Sequence, residues 1–149
     1  MCSWLLNIKA MKILLLFVFF SMFSGAKAPL VTLQVEITNV KHDSGKLFLA
    51  LFKPDEKFGE GRPKIFKVVE VKSDDNQSTE FQVEPGRYAL AIFHDLNGND
   101  ILDKNFMGIP KEPYGFSKNF RPRFSAPSFE DCAFDLPSTG TDISVKMTN

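Results

Sequence analysis

Asp95, Asn97, Asn99 and Asp103 fall at positions 1, 3, 5 and 9 of an acidic and amide-rich stretch, DLNGNDILD. Oxygen ligands at alternating positions suit a hard cation such as calcium, because a curling backbone turns every second side chain inward. In such a loop Ile101, at position 7, supplies a backbone carbonyl, and Leu102 fixes the loop to a core. Two positions break the pattern. Position 6 is Asp100 where glycine is usual, and position 12 is Phe106, which cannot be a bidentate ligand. A remote carboxylate must then complete the shell, and Glu112, Glu130 and Asp131 are the candidates by proximity in sequence. The same residues also make ordinary turns, since Asn and Asp side chains bond their own backbone. With two carboxylates in the loop, a bound ion is held weakly, as in extracellular modules.

Two further residues invite chemistry. His94 directly precedes Asp95 and could serve as a general base, which defines an alternative class, a small exported hydrolase using His94 and neighbouring carboxylates. The competing role for His94 is structural, as the last residue of a buried strand. A base must face a pocket, so burial against backbone would argue for the structural role. Cys132 sits between apolar residues in FEDCAF, with no basic neighbour to make a thiolate, and reads as a small core residue. No G-x-S-x-G, H-E-x-x-H or phosphate loop is present.

The stretch Lys104–Ser128 carries five basic residues against one acid, Glu112, with aromatic residues and prolines interleaved. Tyr114, Phe116, Lys118, Arg121 and Arg123 form a candidate ligand-facing group for an anionic, sugar-like or protein partner. Its structural counterpart is a folded cover, rings plugging one end of the domain and lysines solvated. Basic and aromatic residues together also bind nucleic acid, but an exported chain meets none, and nucleic acid is not expected.

The elements that position these residues follow from the rest of the chain. Ile13–Phe23 is an apolar run of eleven residues behind Lys9 and Lys12, followed by small residues up to Ala28. That is the layout of a secretory leader, with cleavage after Ala26 or Ala28. The run is shorter than the roughly 20 residues of a membrane span, so no stable span remains after cleavage. Periplasmic or secreted localisation is expected. The leader takes three lysines and no acid, so the chain from Pro29 keeps 15 basic and 18 acidic residues. Cys132 alone remains in it, and one cysteine makes no internal disulfide.

Beyond residue 29 short β-rich runs alternate with turn signals, and no window sustains a helical period. Seven strands are predicted: Leu30–Val40, Lys46–Lys53, Ile65–Lys72, Thr79–Val83, Arg87–His94, Glu130–Leu136 and Thr141–Met147. KLFLALFK and RYALAIFH are apolar on both faces and are therefore placed centrally. The expected fold is a single all-β domain over residues 29–149, an antiparallel sandwich of immunoglobulin or prealbumin type with one long ordered loop, Asp95–Ser128.

EPGRYALAIFHD, then LNGNDILD, NFMGIPKEPYGFS and FRPRFSAPSFEDCAF, resemble the DUF2141 family over roughly Leu30 to Met147. These are small exported bacterial proteins of undetermined function. The resemblance implies export and a sandwich and supplies no reaction. Family members commonly have glycine where this chain has Asp100. The function expected is a secreted, non-catalytic binding or structural module, with a calcium-like cation as the one candidate cofactor.

Overall fold

Alternating side chains commit the chain to sheets: burial alternates along Val31–Thr38, Ile65–Glu70, Gln77–Val83 and Thr141–Lys146, while Lys46–Phe52 and Gly86–Asp95 are largely buried on both faces. The computed structural model describes residues 28–73, 76–123 and 125–148. The expected leader therefore lies, apart from Ala28, outside the described residues. Eight strands run in chain order: β1 Val31–Thr38, β2 Lys46–Phe52, β3 Ile65–Glu70, β4 Gln77–Val83, β5 Gly86–Asp95, β6 Tyr114–Phe116, β7 Ala133–Leu136 and β8 Thr141–Lys146. A single helical turn, α1 Phe129–Cys132, precedes β7. None of the helices among the described residues is long and apolar enough to cross a membrane.

The strands form two sheets. One has the order β4-β1-β8; the other has β3-β2-β5, with β6 and β7 sharing the far edge of β5. β7 pairs with the first half of β5, from Gly86 to Ala89, and β6 with Ala91–Phe93. Leu33, Val35 and Ile37 of β1 face Leu47, Leu49 and Leu51 of β2 and Leu90 and Ile92 of β5 in one shared core. Two sheets with their apolar faces together make a sandwich.

Three expectations are corrected in detail. β6 is an eighth strand inside the stretch expected to be loop; three residues suffice because β5 holds one side and a Tyr114–Thr148 bridge the other. The strand expected from Glu130 begins at Ala133, because Ser128 caps a helical turn first: its hydroxyl accepts from the Asp131 amide, and the Asp131 carboxylate accepts from the Ser128 amide. The sandwich is also not wholly antiparallel, since β1 and β8 run parallel from Leu33↔Thr141 to Thr38↔Lys146.

Near Tyr114 the two sheets touch. Gly115 lies on the inner side there, and a Cβ on it would come within 2.9 Å of Val145 Cγ1. Only glycine lets β6 close on β8 at this point.

Candidate functional site

Strand β5 ends in His94 and Asp95, and pleating sends their side chains to opposite faces. His94 turns inward beside Leu47, its cross-strand partner. It is 1% exposed, and its Nε2–H donates to the Ser44 carbonyl at 2.8 Å. Since a carbonyl only accepts, the proton of the neutral ring sits on Nε2. Burial pushes the His94 pKa down, against the opposing pull of the Ser44 carbonyl. The ring is thus held neutral and spends Nε2 on backbone.

Asp95 is fully buried at the base of the loop. Its Oδ1 accepts from the Gly98 amide at 2.7 Å and its Oδ2 from the Asp100 amide at 2.8 Å. Burial alone would raise its pKa, but the amides of Asp100, Gly98, Asn99 and Asn97 outweigh burial and hold it below the usual aspartate value. The sharp return of the loop needs positive φ at Gly98 and Asp100, 77° and 60°. Aspartate tolerates that region, which is how position 6 manages without glycine.

The remaining loop residues bond within the loop. Asn97 Oδ1 accepts from the Asn99 amide, and Asn99 Oδ1 from the Ile101 amide. The Asn97 and Asn99 side-chain amides both donate to Asp103 Oδ2, at 2.6 and 3.2 Å. Of the three remote carboxylates, Glu112 is the one at the loop: Oε1 accepts from the Leu96 amide at 3.0 Å and Oε2 from the Asp103 amide at 3.2 Å. Glu130 instead pairs with Arg87, and Asp131 caps α1. Asp95, Asp103 and Glu112 therefore enclose one loop. The ion pair in this loop is made by exposed Asp100, with Lys46 at 3.4 Å. Ile101 is exposed, and Leu102 is half-buried. No group of three or more His, Cys, Asp or Glu with the geometry of a metal site occurs among the described residues.

Cys132 is fully buried, and its thiol is pushed up to about 12, by burial first and by Asp131 second. It behaves as a core residue. The Ser117 hydroxyl ties this region together, donating to the Cys132 carbonyl and accepting from the Leu90 amide.

A second candidate surface covers the outer face of the larger sheet, and cross-strand register builds it. Val68, Phe48, Phe93 and Tyr114 line up across four strands. Beside them run Phe66, Ala50, Ala91 and Phe116. Phe48 and Phe93 stack at 4.8 Å, and the Tyr114 and Phe116 rings lie 5.6 Å apart. Phe58, from the loop after β2, packs on Phe52 and Phe116 and closes one end. Phe66 and Val68 stay open at the β3 edge, 44% and 40% exposed, with Arg62 over the Phe66 ring at 4.4 Å. Small Ala50 and Ala91 leave the centre of the face low between rings.

The ligand-facing residues expected from sequence are divided by this arrangement. Tyr114 and Phe116 belong to the outer face as part of β6. Lys118 follows in a tight turn at φ 59°, exposed, and Arg121 donates to the Lys146 carbonyl at 3.1 Å. Arg123 is exposed. Sequence reasoning missed Phe48, Phe66, Phe93, Ala50 and Ala91. The signal for Phe48, Ala50, Ala91 and Phe93 lies in the doubly apolar KLFLALFK and RYALAIFH, whose second apolar face reads equally well as a mark of centrality, while Phe66 interrupts the alternation of Ile65–Lys72.

The fold and these surfaces define a small all-β sandwich module with an acidic loop at one end and a ring-lined outer sheet face. The sequence model of a family described as an uncharacterized protein conserved in bacteria (DUF2141) matches residues 35–144. The chain belongs to that family. No curated protein and no solved structure matches it.

Proposed function

We propose that the protein is an exported, non-catalytic binding module whose recognition surface is the outer face of the five-stranded sheet. One observation carries this: rings and alanines occupy a sheet face that an isolated antiparallel sandwich leaves to polar residues. Half-open rings around a low centre suit a ligand with a flat apolar side, and Arg62 over the Phe66 ring supplies positive charge. The ligand class is therefore an anionic sugar. His94 supports the non-catalytic half of the reading, because its Nε2 is spent on Ser44 and its ring leaves the strand away from Asp95.

Calorimetric titration with an oligogalacturonate, against a neutral cello-oligosaccharide of equal length, tests it. The acidic sugar binds more tightly, and Phe66→Ala weakens it about tenfold or more while leaving the melting temperature unchanged. Failure of the acidic sugar to bind, or equal binding by Phe66→Ala, overturns the reading.

Glu112 favours a second role beside the first: a calcium-like ion in the Asp95–Asp103 loop, with Glu112 replacing the missing position-12 ligand. A native mass spectrum of protein purified without chelator reports such an ion directly. Export itself predicts a mature N-terminus at Lys27 or Pro29, read by N-terminal sequencing of protein from a periplasmic extract.

A further inference from the structure

Residues 103–111 rise from the acidic loop as a narrow hairpin. The Lys111 amide donates to the Asp103 carbonyl at 2.8 Å, Lys104 bridges Pro110, and the Asn105 amide donates to the Ile109 carbonyl. At the tip the Asn105 side chain accepts from the Met107 and Ile109 amides, and its carbonyl accepts from Gly108. This bracing fixes the backbone. Yet the side chains it displays are apolar: Phe106 is 98% exposed, Met107 67% and Ile109 51%. A chain that holds a phenylalanine almost wholly in water, on a turn built by four hydrogen bonds, has no folding reason to do so.

The charge around the tip identifies what covers it. Lys104 and Lys111 stand on the two legs at its base, and among the described residues neither enters an ion pair. From Lys104 to Lys111 there is no acidic residue. The acids nearby are engaged elsewhere: Asp100 with Lys46, Asp103 with two asparagine amides, and Glu112 with backbone. Three apolar side chains offer on the order of a few hundred Å². A stable protein interface takes about 800 Å² from each partner. A bilayer needs no such matched rim, and apolar tips with basic flanks fit its acyl boundary and anionic headgroups.

We propose that the Lys104–Lys111 hairpin is a wedge that seats Phe106, Met107 and Ile109 in the interface of an anionic lipid bilayer. The wedge does not span the membrane; it docks the sandwich at its surface. It is independent of the sugar reading, since it uses none of that surface.

Cosedimentation with vesicles of phosphatidylglycerol and phosphatidylethanolamine, against phosphatidylcholine alone, tests the wedge. Wild type and variants share one N-terminus, so any contribution of residues 1–27 cancels. The double variant Phe106→Ser, Met107→Ser loses about ten- to a hundredfold in vesicle affinity with an unchanged melting temperature. Lys104→Gln and Lys111→Gln each lose about fivefold on the anionic vesicles only. In Phe106→Trp, the added emission shifts blue and is quenched by brominated lipid. Equal sedimentation of the wild type and the double serine variant overturns the proposal, as does an unquenched tryptophan. If the serine variant changes the sedimentation coefficient of the free protein and leaves vesicle binding intact, the tip is a contact between copies and the wedge is refuted.

Discussion

His94 and Asp95 are neighbours in β5 and work on opposite sides of it, the imidazole fastened to the Ser44 carbonyl and the carboxylate to the amides of Gly98 and Asp100. Two residues that adjoin in sequence as a base and an acid are thus used as two anchors. His94 holds the turn before β2, and Asp95 holds the loop after β5.

The buried imidazole makes stability depend on pH in a defined direction. Its folded pKa is lowered, so below the unfolded value, near pH 6.5, the unfolded chain binds more protons than the folded one. Stability therefore falls as pH drops from about 6.5 toward the folded pKa, by up to about 1.4 kcal/mol per unit. Urea unfolding at pH 7.5 and 5.5 checks this. In His94→Gln, which keeps a donor for Ser44 and does not titrate, the loss over this interval shrinks.

Asp95→Ala removes the acceptor of the Gly98 and Asp100 amides and costs about 1–3 kcal/mol in EDTA. With its folded pKa lowered, the carboxylate stabilises above about pH 3.9, and the contribution is lost as pH falls through the folded value. Thermal melts in EDTA and in millimolar calcium separate anchoring from ion binding. An ion at about 100 times its dissociation constant adds about 2.7 kcal/mol to the wild type, and Asp103→Ala and Glu112→Gln abolish the gain. Identical wild-type melts in both buffers would remove calcium and leave the anchoring cost of Asp95→Ala intact.

Gly45 is the narrow point between the two anchors. Its φ is +90°, and a Cβ there would run into the Asp95 carbonyl oxygen and sit 3.2 Å from His94 Nε2. The carbonyl belongs to a paired strand and cannot yield. Gly45→Ala should therefore cost about 2 kcal/mol or more, measured by urea unfolding, and shift the NMR signals of His94 and Asp95.

Strand positions were legible because alternation along β1 and the double apolar runs of β2 and β5 are local signals. The direction of pairing was not, since alternation looks the same in a parallel and an antiparallel strand; hence β8 beside β1 came unannounced. Tyr114–Phe116 is too short to carry a period and is a strand only because β5 and Thr148 bracket it. In the loop, the spacing of Asp95, Asn97, Asn99 and Asp103 did mark one structural unit. What spacing could not tell is where the oxygens point, and here they turn to backbone amides and to one another. Glu112 was one of three equal candidates until the chain returned past β5, its Pro113 carbonyl accepting from the His94 amide.

The parallel pairing of β1 with β8 also sets an order in time. β1 lies between β4 and β8, and its parallel partner is the last of the described strands. During synthesis β1 can meet β4 early, but one of its edges stays open, and Val145 and Met147 are missing from the core, until β8 emerges. Contacts between strands this far apart form late, because the whole intervening chain must be closed into a loop first. The smaller sheet is therefore completed only once β8 has been made, well after β1 and β4 have been able to pair.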